Sequence, residues 1–91
     1  MTDKTSAEWW DNFRTLLDDQ NDWPTLYLFK FIAPKENAPQ LQEVFAGHDV
    51  VVRASSKGSY HSITSRVLVD SADQVIGYYR KASEIEGVIS L

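Results

Sequence analysis

Ser55-Ser56-Lys57-Gly58-Ser59-Tyr60-His61-Ser62 separates two apolar-rich runs, Val50-Val51-Val52-Arg53-Ala54 and Ile63-Thr64-Ser65-Arg66-Val67-Leu68-Val69. Glycine followed by a small polar residue is the composition of a two-residue type II′ loop, whose first central position needs φ > 0, so Gly58-Ser59 predicts a β-hairpin. Lys57 then faces Tyr60. Counting outward pairs Ser56 with His61, Ser55 with Ser62, Ala54 with Ile63, Arg53 with Thr64, Val52 with Ser65 and Val50 with Val67. Side chains alternate across a strand, so Val50, Val52, Ala54, Ser56, His61, Ile63, Ser65, Val67 and Val69 share one face. Val51, Arg53, Ser55, Lys57, Tyr60, Ser62, Thr64, Arg66 and Leu68 share the other. Most apolar residues collect on the first face and all charges on the second, an agreement that a one-residue slip would destroy.

The segments around the hairpin supply what its apolar face needs. Thr5 to Asp19 carries Trp9, Trp10, Phe13, Leu16 and Leu17 at helical spacing, with Thr5 and Glu8 in the pattern of a capping box and Pro24 closing the segment. Thr25 to Ala33 is a nearly continuous apolar run whose only charge is Lys30, the pattern of a central strand. A second helix is expected from Asn37, a candidate cap, to Ala46, with Leu41, Val44 and Phe45 inward and Gly47 as a left-handed terminator. Ser71 with Gln74 opens a third helix whose inner side is Ala72, Val75, Ile76, Tyr79 and Ala82. Gly77 inside it signals close packing or a weak turn. Residues 86–91 read as a final strand. After the leading helix the order is strand, helix, strand, strand, helix, strand. It fits an α+β split βαβ sandwich: a four-stranded antiparallel sheet in the order 4-1-3-2 with both helices on one face.

The chain has 91 residues, 43% of them hydrophobic and 12% aromatic, which is enough for one domain with a core. It contains no cysteine, which removes disulfides and thiolate metal sites and fits a reducing compartment. No apolar run approaches the roughly 20 residues that cross a bilayer, and the first residues lack the order of a signal peptide, so a cytoplasmic protein with no membrane partner is expected. A net charge of −4 and a pI near 4.9 oppose general binding to nucleic acid.

The octet Ser55 to Ser62, with Lys30 and the alternating strand behind the octet, resembles the YbeD-like family of small bacterial proteins, domain of unknown function 493. The family's octet is Ser-Ser-Lys-Gly-Asn-Tyr-His-Ser. Ser59 replaces the asparagine here, and Ala33-Pro34 stands where the first strand often ends in glycine. The resemblance covers roughly residues 24–91 and implies a ferredoxin-like βαββαβ sandwich similar to the ACT regulatory domains of metabolic enzymes. It carries no established activity. The domain boundary is therefore placed at residue 24, with residues 1–23 as a helical extension outside the resemblance.

The expected binding site is the sheet face turned away from the helices. In the pairing above Arg53 and Arg66 are diagonal neighbours, close enough for both guanidinium groups to reach one anion. Lys57, Tyr60, Ser55 and Ser62 lie beside them, and Lys30 joins from the first strand. That face suits a small anionic metabolite or an acidic peptide, and the protein is read as a non-catalytic regulatory or adaptor domain. Arginine, lysine, serine and threonine also serve plain solubility on any wet sheet. The rival reading is an interaction module, a homodimer or heterodimer that pairs through a sheet edge or the tryptophan-rich helix and needs no ligand. That helix is expected to pack within the molecule, over the open face or at a sheet edge, or else to meet a second subunit. Catalysis is not expected. A Ser56–His61 pair lacks a positioned acid and reads as structural, and His48 with Asp49 lacks metal-ligand company. No cofactor is called for. Among RNA-recognition positions, Ser59, His61 and Thr64 stand where stacking aromatics belong, so RNA binding in that mode is disfavoured.

Overall fold

The computed structural model describes residues 7–91. The capping box assigned to Thr5 and Glu8 falls partly outside them. Helix α1 (Ala7–Gln20) leads into strand β1 (Thr25–Pro34), helix α2 (Ala38–Val44), strands β2 (Val50–Ala54) and β3 (Tyr60–Val69), helix α3 (Ala72–Ser83) and strand β4 (Ile89–Ser90). The sheet is antiparallel in the order β2-β3-β1-β4, the expected 4-1-3-2 seen from the other edge. The long β1–β3 ladder, Thr25↔Val69 through Pro34↔Tyr60, is its centre.

Alternation along β1 decides which side the helices cover. Phe29, Phe31 and Ala33 are buried, whereas Leu26, Leu28 and Lys30 are exposed. Phe29 meets Phe45 of the turn after α2 at 5.3 Å and Tyr78 and Tyr79 of α3 at 5.0 and 5.6 Å between ring centroids, tilted contacts that aromatic quadrupoles favour. From β3 come Ile63, Val67 and Val69, with Ser65 the one buried polar side chain among the described residues. Ser65 Oγ donates to the Asp49 carbonyl at 2.7 Å, so its burial leaves no orphaned group and ties the start of β2 to β3.

Helix α1 joins the helical layer beside α3, within the molecule but away from the open sheet face. Phe13 meets Tyr79 edge to face at 5.2 Å, Arg80 lies over the Trp10 ring at 5.0 Å, and Arg14 bonds Asp73 through Nε at 2.9 Å. Trp10 and Leu17, one helical turn pair apart, define its buried line. Leu16 points 100° away and is 54% exposed, which removes it from the expected stripe.

Three local readings change. The hairpin loop is four residues, Ser56 to Ser59, because Ser55 N–H donates to the Tyr60 carbonyl at 2.8 Å and Gly58 N–H to the Ser55 carbonyl at 2.9 Å. Gly58 does adopt the left-handed conformation, at φ +74°. Ser59, however, gives its carbonyl to Lys35 N–H at 3.0 Å and so is drawn toward the end of β1. The register moves with the loop: Val50 pairs with Ser65, Arg53 with Ser62 and Ala54 with His61, each two residues from the expected partner. A shift of two keeps on its face every side chain that stays in the ladder, whereas Ser56 and Lys57 pass into the loop. Asn37 does not cap α2 with its side chain, since its Nδ2 donates to the Glu86 carbonyl at 2.8 Å, and α2 is shorter than expected, ending at Val44 before the turn at Gly47 (φ +87°). At Gly77 an added Cβ would meet nothing within 4 Å, so close packing is not the reason for that glycine. The Ser71 cap holds, with its Oγ accepting from Gln74 N–H at 3.3 Å while Gln74 Oε1 accepts from Asp70 N–H at 2.7 Å.

Candidate binding face

Among the described residues no helix covers the second side of the sheet. Its rows follow from the register. Ser55, Tyr60 and Pro34 form the row at the hairpin end, then Arg53, Ser62, Ile32 and Ile89. Next come Val51, Thr64 and Lys30, with Leu91 bonded to the Lys30 carbonyl. Arg66 and Leu28 follow, and Leu68 with Leu26 form the far end.

Arg53 and Arg66 are not diagonal neighbours. Arg53 sits opposite Ser62, four residues from Arg66, and at ~3.3 Å per residue the two are about 13 Å apart along the sheet. The two-guanidinium cradle fails because the hairpin loop is longer by two. The same register makes a different pair. Lys30 faces Thr64, which places it diagonal to Arg66, about 7–8 Å away. Lys57 lies in the loop beyond the sheet, and Tyr60 is 47% exposed at the hairpin end. Ser55 Oγ accepts from Tyr60 N–H at 3.3 Å and Ser62 Oγ reaches the Arg53 carbonyl at 3.5 Å, so both hydroxyls serve the hairpin itself.

Charge is segregated by element. None of the four strands contains an aspartate or glutamate, and their three cations, Lys30, Arg53 and Arg66, all project on the open side. Among the described residues the ion pairs are those of Arg14 with Asp11 and Asp73, both on the helical side. A chain of net charge −4 thus presents a cationic sheet face. Apolar surface lies among those cations, with Leu26 and Leu68 both 62% and Leu28 51% exposed, side by side across β1 and β3. The alternation of the hairpin placed Leu68 on this face from the sequence. The adjacency of the leucines to the Lys30–Arg66 pair needed the correct β1–β3 register, which no local motif sets.

Sequence reading also missed an apolar cavity of about 490 Å³ between α1, α3 and the β1–β4 edge, walled by Trp9, Trp10, Phe13, Phe31, Tyr79 and Val88. The aromatic excess of α1 was its signal. Burial, with a hydrogen bond to Tyr27, holds the Tyr79 phenol well above the ordinary tyrosine value, so it is a neutral group at any physiological pH. His61 lies on the helix-covered side in register with Ala54 and Ala33, so the Ser56–His61 pair does not form. His48 Nε2 is 3.2 Å from the Tyr78 hydroxyl. No group of three or more potential metal ligands occurs among the described residues, and no helix there is long and apolar enough to cross a membrane.

Residues 18–91 match the family described as "Protein of unknown function (DUF493)". The chain is 35% identical over 81 residues to the UPF0250 protein of Shewanella sp. strain ANA-3, covering 81% of this chain and 92% of that one. It is 35% identical over 82 residues to the UPF0250 protein of Idiomarina loihiensis, covering 82% and 93%. The UPF0250 protein of Shewanella piezotolerans is 31% identical over 81 residues, with 81% and 92% covered. No solved structure matches the chain. Neither the family description nor these names states an activity. With its α+β sandwich, its hairpin octet and a match from residue 18 to the C-terminal residue 91, the chain belongs to the DUF493 family of bacterial UPF0250 proteins.

Proposed function

We propose that the chain is a non-catalytic docking module whose open sheet face holds an acidic, partly apolar segment of a partner protein. The observation that carries this reading is the interleaving of sheet cations, none with an acidic neighbour on the strands, with the exposed leucines 26, 28 and 68. The two kinds of group contribute differently. Burying a leucine is worth roughly 1.5–3 kcal/mol, whereas an exposed ion pair is worth less than about 1 kcal/mol. The leucines supply affinity, while Lys30, Arg53 and Arg66 speed encounter, set orientation and reject basic partners.

A small anionic metabolite is the second reading, and the Lys30–Arg66 diagonal favours it as the nearest pair among the three sheet cations. It makes no use of the leucines, which is why the peptide reading ranks first. Amide spectra recorded while adding a synthetic peptide of alternating leucine and glutamate, and separately inorganic phosphate, divide the two. Shifts at residues 26, 28, 30, 64, 66 and 68 that weaken with salt and vanish in Leu28→Ser and Arg66→Glu support the peptide reading. Shifts confined to residues 30 and 66, produced equally by phosphate, replace it with the metabolite. Peptide-induced shifts confined to α1, α2 and α3 overturn both.

A further inference from the structure

The two edges of the sheet are unlike. Strand β4 has two residues, a blunt edge that offers little to pair with. Strand β2 has five, and beyond Val50, which packs partly against the core, it is exposed on both sides: Val51 on the open face is 57% exposed, and Val52 on the helix side is 39% exposed because α2 and α3 lie over β1 and β3. It carries no proline and no bulge, two of the devices that keep an edge from pairing, and its one charge is Arg53.

The backbone groups that β2 turns outward can be assigned. Ser55 bonds Tyr60 directly, so by alternation Arg53 and Val51 also direct their N–H and C=O groups toward β3. Val50, Val52 and Ala54 direct theirs away from the sheet, toward any added strand. An antiparallel neighbour must therefore place its own outward residues opposite these.

The sequence around β2, Asp49-Val50-Val51-Val52-Arg53, reads as its own complement when reversed. We propose that β2 pairs with β2 of a second copy of this chain, antiparallel and two-fold symmetric about Val51. Val50 then faces the partner's Val52 in a hydrogen-bonded pair, and Val52 faces the partner's Val50, giving four backbone hydrogen bonds from groups that already point outward. Val51 faces its own copy, and Asp49 faces Arg53 of the partner subunit twice over. Asp49, Val51 and Arg53 fall at non-hydrogen-bonded positions, where opposed side chains come closest. Centring the pair on Val52 also satisfies the backbone, but it sets the two Arg53 side chains diagonal to each other with no acid between. Charge thus selects the Val51 register. Neither Asp49 nor Arg53 makes an ion pair within the chain among the described residues. The result is one eight-stranded sheet with both open faces on the same side. It does not depend on what that face binds.

Sedimentation over concentrations on the order of 10 µM to 1 mM reads the association, which is expected at the weak end for an interface of this size. Arg53→Asp sets two carboxylates against two others and is expected to weaken the dimer by about tenfold or more, as is Asp49→Arg. The double exchange Asp49→Arg with Arg53→Asp restores the complement, and the dimer returns. The protein has no cysteine, so a single Val51→Cys reports the axis directly. Its two Cα atoms would lie about 4.5 Å apart, inside the range that a disulfide spans, and mild oxidation is expected to yield covalent dimer. Val52→Cys, opposite Val50 of the partner, is expected to yield far less. A monomer at every concentration, failure of the double exchange to restore association, or stronger cross-linking at residue 52 than at residue 51 would overturn the proposal.

Discussion

Phe29 and Leu28 are adjacent in the chain and point to opposite sides of β1, and the two sides satisfy their groups in opposite ways. On Phe29's side the aromatic rings of β1, α3 and the turn after α2 close on one another, and the Arg14–Asp73 ion pair joins α1 to α3. On Leu28's side leucines stand in water and lysine and arginine lack carboxylate neighbours within the sheet. The first arrangement is complete within one chain and accounts for stability. The second leaves apolar area and charge exposed to water, which is the physical ground for proposing it as a binding face.

Substitutions at the two neighbours break that comparison most sharply. Phe29→Ala is expected to cost about 3–5 kcal/mol, a large part of the ~5–10 kcal/mol that a domain of this size possesses, so denaturant melts should show a much lower midpoint or no cooperative transition. Leu28→Ala is expected to change the unfolding free energy by no more than about 0.5 kcal/mol. Equal losses at the two sites would mean that the open face is covered after all.

Gly58→Ala tests the hairpin that sets the register of the open face. A residue with a Cβ at φ +74° is strained by roughly 1–2 kcal/mol, and the thermal midpoint should fall accordingly. Tyr79 tests the covered side by pH. Its folded-state value lies above the ordinary one, so the unfolded chain releases the proton first and the stability tied to that phenol, full below about pH 10, is lost as pH rises beyond it. Tyr79→Phe should flatten the alkaline fall in unfolding free energy, and an unchanged slope would contradict a role for the partly buried phenol. The smallest effect is expected at Gly77 in α3. With nothing within 4 Å of an added Cβ, Gly77→Ala should raise stability by about 0.5–1 kcal/mol.

The order of elements and the side taken by each residue of the two hairpin strands were legible in the sequence, because period-two alternation along β2 and β3 and the stripes of α1 and α3 are local signals. The hairpin register was not. Gly58-Ser59 has the composition of a two-residue loop, but in the longer loop Ser59 accepts from Lys35 N–H, a contact between distant parts of the chain that no local motif signals. The error fell on an even number, which is why the face of Arg53 and Arg66 survived and their proximity did not. Asn37 shows the same limit, as its side chain serves Glu86, 49 residues away. The Lys30–Arg66 pair depends on β1–β3 pairing, again beyond local reading.

The central claim, that the molecule meets its partner through the uncovered side of the sheet, is tested most directly by placing a photo-crosslinking amino acid at residue 28 and, for comparison, at residue 43 on α2, in living cells. The account predicts a discrete cross-linked partner at residue 28, joined through a segment rich in aspartate, glutamate and apolar residues and lost when Arg66→Glu is added, with no such product from residue 43. Products from residue 43 alone, or a basic segment captured at residue 28, would contradict it.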